Sequence, residues 1–122
     1  MRITKSDGPF TIQLDLYPVG QDLLAVLQGG AAHLGCAVLA VPRPSLNEPG
    51  KRSCTSSVLN QVGHKDEGPC RQIAEALCVH SGKVTVCTGG LHWDGITSQQ
   101  LRQVSQLMEE IVSEVVSTCL PQ

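Results

Sequence analysis

At 122 residues and 13.0 kDa, the chain has room for one domain over residues 1–122, and not for a cofactor domain beside a substrate domain. Its 41% hydrophobic and 16% charged residues fit neither a disordered polymer nor the continuous apolar run of a membrane span. Nine Lys and Arg against eleven Asp and Glu leave a net charge of −2, which gives a nucleic-acid backbone nothing to recognise, and Phe10, Tyr17 and Trp93 are too few for a base-stacking platform.

The first periodic segment, Phe10-Thr-Ile-Gln-Leu-Asp-Leu16, alternates apolar and polar residues, the period of a strand with one buried face. Pro18 and Gly20 break that pattern, and Leu23-Leu-Ala-Val-Leu27 follows at hairpin distance, ending in Gly29-Gly30. Cys36 to Val41 reads as a third strand stopped by Pro42 and Pro44, and a weaker strand over Cys54–Leu59 follows a proline-containing loop. From Pro69 the period changes. Cys70, Ile73, Ala74, Leu77 and Cys78 fall at i, i+3, i+4, i+7 and i+8, predicting an amphipathic helix that Gly82 ends. Lys83–Thr88 alternates again and terminates in a second glycine pair, Gly89-Gly90.

Leu101, Val104, Met108, Ile111, Val112, Val115 and Cys119 then form one helical stripe. Thr97 and Gln100 have the spacing of a capping box, and Ile96 with Leu101 that of a hydrophobic staple. The order β-β-β-β-α-β-α predicts a two-layer α+β fold: a mainly antiparallel sheet with both helices on one face. The other face of that sheet then needs a partner or polar residues.

None of the six cysteines, Cys36, Cys54, Cys70, Cys78, Cys87 and Cys119, stands in a tight C-x-x-C pair. The amino terminus also has no secretory-type apolar stretch, so the reading is a cytoplasmic chain whose thiols are reduced and act mainly as small buried hydrophobes.

Chemistry concentrates in three loops that pair glycine with histidine: Gly29-Gly30 to His33 and Gly35, Gly63-His64-Lys65-Asp66, and Gly89-Gly90-Leu91-His92. Glycine lets backbone N–H groups approach a ligand, imidazole adds donors, and His64-Lys65 precedes a helix N-terminus, so a phosphate or carboxylate suits them. Asp94 is placed to orient His92 or to bond the turn, and Trp93 either stacks on a planar ligand or is a large residue closing a core edge or an oligomer interface. His33, His64 and His92 also form a candidate metal set for a hydrolase or lyase, although no H-E-x-x-H pair is present. The chain has no G-x-S-x-G elbow, P-loop or G-x-G-x-x-G motif.

In the order Gly29-Gly30-x-x-His33-x-Gly35, His64-Lys65-Asp66 and Thr88-Gly89-Gly90-Leu91-His92 leading to Ile96-Thr97, the chain resembles the small D subunit of gallate-type hydroxyarylate decarboxylases, a prenylated-flavin chaperone-like family. The likeness runs from about Thr11 to Val116, and the Pro42–Gly50 connection and Trp93 depart from it. It implies a noncatalytic accessory protein that binds prenylated FMN, or FMN. Such a protein stands between a flavin prenyltransferase and a decarboxylase. It also implies a fold similar to small proteasome-assembly chaperones and a homodimer. The residues it assigns to the ligand are His33, His64, Lys65 and His92, with Gly29, Gly30, Gly89 and Gly90 shaping the loops and Asp66 and Thr97 orienting them. A purely structural decarboxylase subunit is the remaining alternative.

Overall fold

In the computed structural model, which describes residues 1–61 and 67–119, six strands form one sheet in the order β1-β2-β3-β6-β4-β5. In chain order the elements are β1 (Arg2–Asp7), β2 (Phe10–Val19), β3 (Asp22–Gly30), β4 (Cys36–Pro44), β5 (Arg52–Asn60), α1 (Glu67–Ser81), β6 (Thr85–His92) and α2 (Ser98–Cys119). Every neighbouring pair is antiparallel except β3–β6. The expected two-layer α+β architecture is present, with α1 against β4, β5 and β6 and α2 against β1 and β2.

The structure adds β1 in front of the predicted strands. Only Ile3 of Arg2–Asp7 is buried, so the segment carries almost no apolar alternation. Its pairing comes from a two-residue turn at Gly8-Pro9, from Asp7 opposite Phe10, and from the Arg2–Asp15 ion pair at 2.8 Å.

Strands β2 and β4 also run through prolines that were expected to stop them. Pro18 lies opposite Leu23, whose N–H bonds Val84 on the far side, while β1 reaches only as far as Leu16, which bonds Met1. Likewise β6 accompanies β4 no further than Ala40, so Pro42 and Pro44 pair with β5 alone. Each proline nitrogen therefore points to an edge where no strand asks for a donor, the one setting in which a strand tolerates proline.

The core lies between the sheet and the two helices. Ile12, Leu14, Leu27 and Val38 from the strands meet Ile73 and Leu77 of α1 and Ile111 and Val115 of α2, all fully buried. At about 1.5–3 kcal/mol per buried side chain, this layer is the main source of stability. Leu101, the first residue of the predicted α2 stripe, is instead 55% exposed. Cys36, Cys70, Cys78 and Cys87 are buried and Cys54 is half-buried, as expected of small hydrophobes. Cys87 lies wholly within the core and takes no part in the surface described next. No helix among the described residues is long and apolar enough to cross a membrane.

Candidate functional site

The last turns of the central strands and the loop that crosses them build one surface. Strand β3 ends at Gly29-Gly30 beside Leu91-His92 of β6, and residues 31–35 then cross β6 to start β4 on its other side. Three backbone bonds pin that crossing: Ala31 N–H to His92 O at 2.9 Å, Gly35 N–H to Gly89 O at 2.9 Å, and Gln61 N–H to Gly35 O at 2.8 Å. Both glycine pairs thus lie inside paired strands, whereas Gly89-Gly90 was expected to end β6, which continues to His92.

The glycines are required by neighbours of this same chain. Gly30 has φ +63°, and a Cβ there would strike the His92 carbonyl and come within 2.8 Å of Trp93 Nε1. A Cβ on Gly29 would meet Leu91 Cδ2 at 2.7 Å and Trp93 Cη2 at 2.9 Å. Trp93 therefore rests against the end of β3, and its ring meets Phe10 edge-on at 5.2 Å between centroids. It closes an edge of the core, one of the roles expected of it. Gly89, at φ +128°, leaves no space between its α-carbon and the Leu27 carbonyl, and Gly90 is covered by the His33 ring, 2.7 Å from where a Cβ would stand.

His33 and His92 are brought together, with ring centroids 6.3 Å apart and planes nearly perpendicular. A carbonyl only accepts, so the 3.1 Å contact of His33 Nδ1 with Ala31 O places a proton on Nδ1. His92 Nε2 donates to Asp94 Oδ1 at 2.9 Å, which orients the ring. Thr97 acts as the cap of α2: Gln100 N–H donates to its hydroxyl at 3.1 Å, and Thr97 N–H donates to Gln100 Oε1 at 3.0 Å. His64 and Lys65, with Gly63 and Asp66, lie outside the described residues. Among the described residues no group of three or more His, Cys, Asp or Glu converges as a metal set.

Next to His92 a groove of about 580 Å³ opens between the start of α1 and the first turns of α2. Leu91, Trp93, Ile96, Leu101, Val104 and Met108 make it mainly apolar, and Gly68 and Pro69 stand at its α1 end. Sequence periodicity assigns Leu101, Val104 and Met108 to the core stripe. The groove shows in the exposure of Leu101, the first residue of that stripe, which stands at the rim. A volume of this size suits a drug-sized or cofactor-sized ligand. An apolar trough with an imidazole at its rim can hold a flat ring system that carries an anionic tail.

The fold is shared with a solved structure of a chaperone complex for yeast 20S proteasome assembly, at TM-score 0.57 and 12% identity over 99% of this chain and 96% of that one. No curated protein sequence matches the chain. Residues 6–120 match the model of the prenylated flavin chaperone LpdD-like domain, and with nearly its whole length covered the chain belongs to that family.

Proposed function

We propose that this chain is a noncatalytic accessory protein that binds prenylated FMN and hands it from a flavin prenyltransferase to a hydroxyarylate decarboxylase. The observation that carries this reading is the apolar groove with His92 at its rim and His33 beside His92, their ring centroids 6.3 Å apart. Prenylated FMN presents the same two features, an enlarged apolar ring system and a phosphate. The residues fit it: Leu91, Ile96, Leu101 and Met108 supply apolar contact, Trp93 a flat wall, and His92 at the rim, with His33 beside it, a further ring N–H each when protonated. When bound, the flavin brings its own redox chemistry, and the chain's part is to hold it and limit its contact with water.

Each side chain has a distinct task in this reading. Asp94 keeps His92 turned so that protonated His92 still has Nδ1–H to give to a phosphate oxygen. The Ala31 carbonyl fixes His33 over Gly90. Gly29 and Gly30 hold Trp93 in place, and Thr97 sets where α2 and its groove residues begin. His64 and Lys65 add charge from the segment before α1. A carrier must release what it binds, and a site of a few hydrogen bonds on a preformed groove is suited to reversible binding. The proposal includes a cytoplasmic homodimer.

Trp93 is the sole tryptophan, so flavin binding is read directly as quenching of its emission. Titration with prenylated FMN should give saturable quenching that is at least tenfold weaker in His33→Ala and His92→Ala. Equal affinity in parent and both variants would refute the assignment of these histidines.

A further inference from the structure

The groove between the helices has a polar end away from its His92 rim. Both helices start on the His92 side and run away from it. At the start of α1, Glu67 accepts from Asn60 at the end of β5, 2.8 Å away, and α2 begins after the short 93–97 segment that follows His92. Bonds to β1 give α2 its direction. Gln103 donates to Asp7 at 3.2 Å, opposite the Phe10 that touches Trp93, while Glu114, farther along, accepts from Lys5 at 2.9 Å. Leu101, Ser105 and Glu109 follow one another at single turns along α2, so Glu109 stands about 12 Å beyond Leu101 in the direction away from the rim.

Three polar side chains line this stretch, Gln72 from α1 with Ser105 and Glu109 from α2. Among the described residues none of the three is engaged by a hydrogen bond or an ion pair. In a mainly apolar pocket a few such groups fix which way round a ligand lies. Here they are a carboxylate, which only accepts, and an amide and a hydroxyl, each able to donate. The complement of that set is a ring edge with one N–H between two carbonyls. The pyrimidine edge of a flavin is such an imide, N3–H between C2=O and C4=O, and FMN and prenylated FMN share it.

We infer that Glu109, Gln72 and Ser105 bind the imide edge of the flavin and so set its direction in the groove. N3–H donates to the Glu109 carboxylate, Gln72 and Ser105 donate to the flanking carbonyls, and the phosphate lies at the His92 rim. This rests on the flavin-binding reading and adds the orientation of the bound flavin. Charge enforces the same order. A phosphate at the Glu109 end would face a carboxylate with no cation on it, whereas at the rim it meets an imidazole, and Asp94, the rim carboxylate, is turned to solvent and bonded to His92.

Quenching of Trp93 by FMN and by 3-methyl-FMN, which has a methyl group in place of the N3 proton, tests the contact on the unaltered chain. The parent should bind 3-methyl-FMN about tenfold more weakly than FMN, the loss expected for a hydrogen bond to a charged group. Glu109→Ala should weaken FMN by about the same factor and abolish the difference between the two flavins, and Glu109→Gln, which keeps an acceptor, should recover part of the affinity for FMN. Glu110→Ala, at the next residue and outside the groove lining, should bind both flavins as the parent does. Equal affinity of the parent for the two flavins, or a methyl penalty that persists in Glu109→Ala, would overturn the inference. Failure of the flavin-binding reading looks different. If FMN leaves the emission of the parent unchanged, both fall, whereas FMN binding that weakens in His92→Ala but ignores N3 methylation overturns the imide contact alone.

Discussion

Adjacent glycines in β6 do different work, and substituting each with alanine separates fold from site. Gly89 has φ +128°, and a Cβ there would collide with the Leu27 carbonyl oxygen and stand 2.9 Å and 3.0 Å from the Leu27 carbonyl carbon and nitrogen. Those atoms belong to the paired backbone of β3, which cannot turn aside as a side chain can. Backbone strain of this class costs about 1–3 kcal/mol, and the collision between two central strands brings Gly89→Ala to about 3–5 kcal/mol. For a chain this size each kcal/mol lowers Tm by about 4 °C, so the expected drop is about 12–20 °C. At Gly90 no positive φ is required, and the nearest atoms are the end of the His33 ring, Cε1 at 2.7 Å and Nε2 at 2.8 Å, with the His33 carbonyl oxygen at 3.0 Å. The ring can swing away and the crossing loop has only to yield slightly, so Gly90→Ala should cost about 1 kcal/mol, near 4 °C, while breaking the His33–His92 approach. Thermal melts followed by circular dichroism give both values, and histidine ring resonances report the second effect. Equal melting temperatures for the two variants, or Gly89→Ala within 4 °C of the parent, would refute this division of roles.

Two further outcomes are expected. Thr97→Ala removes the acceptor of Gln100 N–H and should cost about 1 kcal/mol, read as a Tm lower by about 4 °C with the sheet unaffected; an unchanged Tm would mean that the capping box holds nothing. Burial, with the neighbouring Cys54, pushes the Cys78 thiol from 9.0 up to about 11, so the folded state favours the protonated thiol. That stabilisation is complete below about pH 9 and is lost as pH rises toward about 11, because the unfolded chain deprotonates first. Denaturant melts between those pH values should show stability falling for the parent and falling less for Cys78→Val. Parallel slopes would contradict the assignment.

Much of the fold was legible because its elements obey single periods. The i, i+3, i+4 stripe of α1 returns as buried Cys70, Ile73, Ala74, Leu77 and Cys78, and the Thr97–Gln100 spacing returns as two reciprocal hydrogen bonds. Strand β1 was not legible, since an edge strand with one buried residue has no alternation to detect. Prolines 18, 42 and 44 misled because a one-dimensional pattern does not reveal which sheet edge lacks a neighbour. In the site, the meeting of His33 with His92 follows from a crossing loop that sequence can only suggest. The glycines were legible as points of close approach, but what approaches Gly29, Gly30 and Gly90 is Trp93 and His33 of the same chain. The groove stayed hidden because its apolar residues share the period of the core.

The most direct test of the central claim is gentle native mass spectrometry of the chain, purified without oxygen from cells that also make a flavin prenyltransferase. The account predicts a bound mass equal to prenylated FMN, lost when His33 and His92 are both replaced by alanine. A chain that flies without any flavin under these conditions, or that keeps it after the double substitution, would contradict the account.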